Sequence, residues 1–301
     1  MNTAKTLFLQ TARSLHLDAC GVASALFPQR LQQLLETSGP VPFAPDTLPP
    51  RLSPAALLPQ ARSFLVLLFP YKPQADEEGN IALYARPLDY HSINHRYLSR
   101  IMETMKAAYP EEQFLPLVDT SPMVDRWLAY QAGLGFFGKN HCLIHPKYGS
   151  YVTIGSILTT LALPADTPLA HSCGTCHACM AHCPGHVITE THFNPWHCKS
   201  YLTQKKEFLT AEEMKILRRT PYIFGCDECQ RYCPYNLQAP MSPIPEIHEH
   251  RIPVLTEEMM KQYSNRGFDK TFRPYAFAWR GKKVLLRNLE VIRGDTEPGT
   301  H

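Results

Sequence analysis

Cys173-Gly-Thr-Cys176-His-Ala-Cys179-Met-Ala-His-Cys183-Pro184 decides how the rest of this chain is read. The spacing is C-x2-C-x2-C-x3-C-P. Three thiolates so close in sequence converge on one corner of an iron–sulfur cubane, and the fourth swings away toward a different cluster. A second motif, Cys226-Asp-Glu-Cys229-Gln-Arg-Tyr-Cys233-Pro234, lacks the first position of that pattern, and Cys198 is the obvious substitute. Crossed ligation then gives Cys173, Cys176, Cys179 and Cys233 to one [4Fe–4S] cluster and Cys183, Cys198, Cys226 and Cys229 to the other. Eight cysteines can also make two four-thiolate zinc sites, but zinc ribbons pair two C-x2-C knuckles and do not need a three-cysteine run with a distal Cys-Pro. Of the ten cysteines, Cys20 and Cys142 are left over, and small buried residues are their expected role.

Working outward, 301 residues are enough for at least one full core and two domains. The 44% hydrophobic fraction is that of an ordinary globular protein, and a net charge of +3 does not by itself call for a nucleic-acid partner. No apolar run approaches the roughly 18–20 residues of a membrane span, and the first residues lack a signal peptide's long apolar stretch, so a cytoplasmic protein with no membrane partner is expected. In such a compartment clustered cysteines point to metal rather than to disulfides.

The patterning predicts a helix over residues 3–15 and a buried strand over 62–70, a continuous apolar run ended by proline. Further helices are predicted over 95–108 and 125–132, and a strand pair or one long strand over 148–160. Residues 164–168 read as a linker into the cysteine-rich section, which ends in the proline-dense stretch 240–245. Beyond it, 268–293 holds a basic amphipathic helix with Leu285, Leu286, Leu289 and Ile292 on one face, decorated by Arg280, Lys282, Lys283 and Arg287. A solvated face is the ordinary meaning of such charge.

Three further signals bear on chemistry. Gly133-Leu-Gly135-Phe-Phe-Gly138 matches G-x-G-x-x-G, but a helix precedes it where a dinucleotide site needs a strand, so a tight turn near a ligand is the better reading. His91 and His95 stand four apart, as two metal ligands on a helix face would, yet no third ligand lies nearby in sequence, and a packed or exposed pair is expected. Asp119, in Val118-Asp119-Thr120-Ser121-Pro122, follows an apolar segment. It is either an active-site carboxylate at a strand end or the N-cap of the helix beginning near Met123.

The stretch Val118-Asp119-Thr120, Asp125-Arg126, Ala132-Gly133-Leu134-Gly135-Phe136 and Gly138-Lys139-Asn140 resembles the signature of epoxyqueuosine reductases. So do Tyr148-Gly149-Ser150-Tyr151, Cys198-Lys-Ser200-Tyr-Leu-Thr-Gln204 and the double cysteine motif. The resemblance covers roughly residues 45–293. It implies an α+β protein: an α/β corrinoid-binding domain over 1–163, a ferredoxin-like double [4Fe–4S] domain over 164–245, and a helical tail over 246–301. It implies cobalamin bound base-off, an external low-potential electron donor, and reduction of epoxyqueuosine in tRNA to queuosine. Asp119 falls where the family keeps its general acid, and a partly dry pocket beside the corrin is expected to raise its pKa. Arg51, Tyr84, Asn140, Leu143, Ile154 and Ser200 fall at or near cofactor-contacting positions.

Family members continue past the segment matching 279–288 into a helical-repeat domain that helps hold tRNA, and the present sequence has only a few residues beyond it. If tRNA is the substrate, the basic C-terminal segment is expected to meet its phosphates. The alternatives are the same chemistry on a small molecule, or a two-cluster electron-transfer protein with no chemistry of its own.

Overall fold

The computed structural model describes residues 3–45, 47–75 and 78–295. Its centre is the apolar run, which forms strand β2 (Ser63–Pro70), buried at every position. Alternation along a strand sends neighbouring side chains to opposite faces. Leu65, Leu67 and Phe69 therefore enter one core, with Phe8, Leu98 and Ile101. Phe64, Val66 and Leu68 enter the other, with Leu128, Ala129 and Leu158. A strand with two apolar faces needs cover on both sides. Helices α1 (Thr3–Ser14) and α2 (Tyr90–Ala108) supply it on one side, and α3 (Asp125–Gln131) on the other.

The sheet is antiparallel, in the order β1-β2-β6-β3, with β1 at Cys20–Ser24, β3 at Phe114–Leu117 and β6 at Val152–Thr159. Of the stretch 148–160, expected as a strand pair or one long strand, Val152–Thr159 forms a single strand, and Gly149 bridges back to His145 ahead of it. A short hairpin, β4 (Phe136–Phe137) with β5 (Leu143–Ile144), stands apart from it. Helix α2 begins five residues before the predicted start, because Asp89 caps it by accepting the His91 backbone N–H at 3.0 Å. The linker residue Asp166 is tied down, paired with Lys5 at 2.6 Å and accepting the Val22 N–H at 2.8 Å.

The glycine-rich stretch follows a helix and enters the β4–β5 hairpin, which is not the strand-turn-helix of a dinucleotide site. A Cβ on Gly135 would come within 2.6 Å of the Ile144 carbonyl oxygen, so the glycine is there to let the hairpin close.

The cysteine-rich section is built of short helical turns, among them Ala178–His182, Glu228–Arg231 and Pro234–Leu237. Asn236 fastens it to the sheet: its Oδ1 accepts the Ser150 N–H at 2.6 Å, and a Cβ on Gly149 would strike it.

The C-terminal segment is no tail. Helices α4 (Ala211–Arg218) and α5 (Lys282–Arg293) pack together, and Phe268, Phe277 and Leu285 share a core with Ile81, Ala85, Ile223 and Phe224. The amphipathic pattern was legible, but its apolar face needed a partner, and the partner is chain from residues 80 to 85 and 223 to 224. Asn288, fully buried, completes the join by donating to the Thr203 and Ile223 carbonyls at 2.7 and 2.8 Å.

Candidate active site

A cleft of about 520 Å³ opens beside the sheet. It is walled by the loop Val41–Pro45, by Arg51, by Tyr71, Tyr84 and Tyr90, by Asp119 to Arg126, and by Val152 to Ile154 on β6. Asp119 lies two residues past β3 with φ at 51°, a left-handed backbone that a non-glycine residue adopts at a cost of about 1–3 kcal/mol. It is not a helix cap. Helix α3 starts at Asp125, its N-cap is Val124, and no side chain caps it. Asp119 instead accepts a hydrogen bond from Tyr90 Oη at 2.5 Å and faces His91 Nε2 at 3.5 Å.

His91 is held from behind as well, with Nδ1 2.8 Å from Asp89 Oδ1. Burial works to lower its pKa, but Asp119 and Asp89 together overcome that and raise it to about 9. His91 is therefore an imidazolium at neutral pH, set between two carboxylates, and not half of a metal-binding pair with His95. Its charge, helped by Tyr90, holds the Asp119 pKa below the ordinary value in spite of desolvation. The expected upward shift of Asp119 is thus reversed by partners that adjacency in sequence did not suggest. The raised carboxyl is Asp125, lifted to about 7 by burial and then by the Asp119 charge. Its Oδ1 is buried and has no hydrogen-bond partner among the described residues.

Of the other residues singled out in the sequence, Arg51, Tyr84 and Ile154 line this cleft. Arg51 lies in a short helix, Pro49–Leu52, and its Nε is buried without a partner among the described residues. Tyr84 stands mid-way in an aromatic row, 6.5 Å from Tyr71 and 6.0 Å from Tyr90 between ring centroids. Asn140, Leu143 and Ser200 are not among the lining residues. Asn140 is buried beside the cysteines, Leu143 packs in the sheet core, and the Ser200 carbonyl accepts from Thr203 and Gln204 within a turn.

Cys173, Cys176, Cys179 and Cys233 surround one void of about 40 Å³, together with Asn140, Ile144 and Tyr235. Cys183, Cys198 and Cys229 gather around Val187 and Ile188, where Cys179 also packs, and Cys226 lies within electrostatic reach of Cys198. The first quartet is the one that crossed ligation groups together. Cys142, expected to be filler, has its thiol close enough to that of Cys229 for the two to influence each other's ionisation. Cleft and cysteines share a wall: Tyr71 Oη donates to Gln230 Oε1 at 3.1 Å, and Asp227 accepts the Leu83 N–H at 2.7 Å.

A family model described as "4Fe-4S double cluster binding domain" matches residues 172–236. Another, "Epoxyqueuosine reductase QueG, DUF1730", matches residues 51–120. An epoxyqueuosine reductase of Leadbetterella byssophila is 34% identical over 291 residues, spanning 94% of this chain and 96% of that protein. The chain belongs to the epoxyqueuosine reductase family. It is thereby placed among oxidoreductases, with a double [4Fe–4S] section in a mixed α+β fold. A Listeria monocytogenes member is 34% identical over 248 residues, 78% of this chain but only 64% of that protein's length. A crystal structure of an epoxyqueuosine reductase with an epoxyqueuosine-modified tRNA-Tyr stem loop aligns at a TM-score of 0.85 and 28% identity, over 96% of this chain and 80% of that one. Among the described residues no helix is long and apolar enough to cross a membrane.

Proposed function

We propose that this chain reduces epoxyqueuosine in tRNA to queuosine, with the chemistry in the Asp119 cleft and its electrons delivered through two [4Fe–4S] clusters. The observation that carries the reading is the Asp89–His91–Asp119 row, a charged imidazolium behind a carboxylate at the mouth of a cleft whose far wall is bonded to the cluster section. The solved epoxyqueuosine reductase with an epoxyqueuosine-modified tRNA-Tyr stem loop, aligned over 96% of this chain, supports a tRNA substrate. The cluster ligands are Cys173, Cys176, Cys179 and Cys233 for one cluster, and Cys183, Cys198, Cys226 and Cys229 for the other, supported by the grouping of the first four around a single void.

Cobalamin fits the cleft by its donor chemistry. Arg51 Nε is a buried donor without a partner and Asp125 Oδ1 a buried acceptor without one, and a corrin rimmed with carboxamides supplies both complements. Arg51, Tyr84 and Ile154 would hold it there, while Asn140 and Ser200 would act from the cluster side. When bound, it supplies the strongly reducing cobalt centre that the reaction needs.

The chain's own task is the proton. Asp119 is ionised at rest and cannot donate until it has received one. His91 supplies it across 3.5 Å, and Asp119 passes it to the oxygen as the epoxide ring opens; losing that oxygen as water takes two electrons and two protons in all, the second proton following the same route. Tyr90 holds the carboxylate in place, and Asp89 keeps the imidazole ring oriented and charged. Anaerobic reconstitution with iron, sulfide and cobalamin, followed by assay on tRNA carrying epoxyqueuosine, tests the reading. Queuosine should form. A protein that takes up both cofactors and reduces only small epoxides would overturn the tRNA substrate, and one that takes up no cobalamin would leave an electron carrier.

A further inference from the structure

A group of aromatic side chains stands exposed on the ridge between the Asp119 cleft and a second hollow. Phe43 lines the cleft and is 54% exposed, and Trp279 lines the neighbouring hollow of about 590 Å³ and is 52% exposed. Their rings meet edge to face at 5.4 Å, and Phe43 also lies 5.5 Å from Tyr201. The Arg280 guanidinium covers one face of the indole, 3.6 Å from its centroid, and lies 4.9 Å from the Phe43 ring.

Hydrophobic burial does not account for this arrangement, since the two largest rings remain half in solvent. Nor is the indole loose. Trp279 Nε1 donates to Gln204 Oε1 at 2.9 Å, and Gln204 is buried and itself fastened to the Ser200 carbonyl. Phe43 is presented from a backbone with φ at 64°, a left-handed conformation in a non-glycine residue. Arg280 Nε is buried with no hydrogen-bond partner among the described residues, so the guanidinium keeps a donor in hand. A rigid, exposed indole backed by a cation with a spare donor is what an unstacked base needs: a π-face to lie on and a donor for its edge or its phosphate.

We propose that Trp279, Phe43 and Arg280 form a stacking platform for an unpaired nucleobase of the RNA substrate, next to the nucleotide that enters the Asp119 cleft. This rests on the tRNA reading above and adds the part of the RNA that is gripped. The hollow beyond the platform is lined by Asp89 and Asp269 and by Arg273 and Arg280, so its charges balance and it offers no run of cations for a phosphate chain. The contact is therefore to a base that reaches over the ridge. Stacking is sequence-tolerant and largely independent of salt, which separates it from phosphate contacts.

The test is binding of a fluorescent anticodon stem-loop RNA to the protein reconstituted with clusters, alongside cobalamin uptake followed by absorbance. Trp279→Ala should weaken RNA binding by about tenfold or more without changing its salt slope, and Trp279→Phe should recover most of the loss. Arg280→Ala should weaken it by a smaller factor, and iron content and cobalamin affinity should hold in all three variants. Wild-type-like RNA affinity in both Trp279→Ala and Arg280→Ala overturns the platform and leaves the tRNA reading standing. An equal loss of cobalamin affinity in Trp279→Ala also overturns it, because the rings would then serve the heteroaromatic tail of the cofactor. A wild-type protein with no RNA affinity overturns the platform and the tRNA substrate together.

Discussion

Strand β2 and the cysteine run Cys173–Cys183 acquire their shape by different forces. Every side chain of β2 is buried, and the two cores on its faces are filled by aliphatic and aromatic residues from helices on both sides. Between residues 171 and 182 no side chain is buried, and the chain turns in pieces no longer than a single helical turn or so. A hydrophobic core holds the first. The second has too little apolar burial to fix its own turns, so ligation must supply the free energy, as it does in small metal-bound domains. One protein therefore contains a region stable without its cofactor and a region whose order is coupled to it. The C-terminal helices bridge the two, because Asn288 and Arg287 bind carbonyls of the cluster section while Phe277 and Leu285 pack on residues 81 and 85.

The largest expected effect breaks the molecule along that line. Removing iron anaerobically should lower hydrogen-exchange protection of amides in 176–198 by about 10²-fold or more while leaving β2 and β6 protected. Equal loss in both regions would mean that the sheet is not self-sufficient. Cys198→Ala should then lose one cluster's spectroscopic signal and keep the other's, since Cys173, Cys176, Cys179 and Cys233 surround their own void.

Next in size is the carboxylate. Asp119→Asn keeps the shape and can still hydrogen-bond to Tyr90, but it cannot relay a proton, so turnover should fall by about 10²-fold or more with cobalamin binding intact. Near-normal turnover would return Asp119 to a structural role in its turn.

The same contrast explains what could be read in advance. Most of the cluster ligation is local: Cys173, Cys176 and Cys179, like Cys226 and Cys229, are separated by two residues, so spacing carries the signal, and the distal Cys-Pro of each run marks the ligand that crosses to the other cluster. The long strand was equally plain, because a strand buried on both faces is apolar at every position. The cleft's proton row is not local. Tyr90 and His91 come from the start of α2 and Asp119 from a turn 28 residues beyond His91 in the sequence, and only the β3–β6 pairing and the packing of α2 bring them together. The available hint was Asp89, a capping residue just before the helical pattern, which would have placed His91 in the first turn. Asp125 gave no signal either, since its raised pKa comes from burial, which a sequence does not display.

His91 offers a smaller effect with a sharper signature. Its pKa is raised by its two carboxylates to about 9, so its charge, and the stability that goes with it, is complete below the ordinary histidine value of 6.5 and is lost as pH rises through about 9. Asp119 runs the other way, its pairing lost only in acid, as pH falls through its depressed pKa. Turnover should therefore decline along an alkaline limb near pH 9. His91→Gln should lower turnover by about tenfold and remove that limb, with single-turnover rates measured from about pH 8 to about pH 10, above the titration of Asp125. A limb that survives in His91→Gln would assign it elsewhere.

The smallest effects concern the basic residues near the C-terminus, where the structure redraws the expectation most. Arg287 is buried, and its guanidinium donates to the Lys205 and Glu207 carbonyls at 2.7 and 3.0 Å. Lys282 is spoken for as well, with Nζ on the Tyr263 carbonyl at 2.5 Å, and Arg280 lies against Trp279. Lys283 alone of the four is exposed. A released counterion contributes to the salt dependence of RNA binding only where a side chain meets a phosphate. Lys283→Ala should therefore lower the slope of log affinity against log salt by no more than about 0.7–0.9. Arg287→Ala should leave that slope unchanged, yet lower the unfolding midpoint, because the Lys205 and Glu207 carbonyls lose their donor and a buried side chain is removed. If Arg287→Ala flattened the salt slope in a protein of unaltered stability, the guanidinium would be facing RNA after all, and the bridge between cluster section and sheet would rest on Asn288 and the apolar contacts.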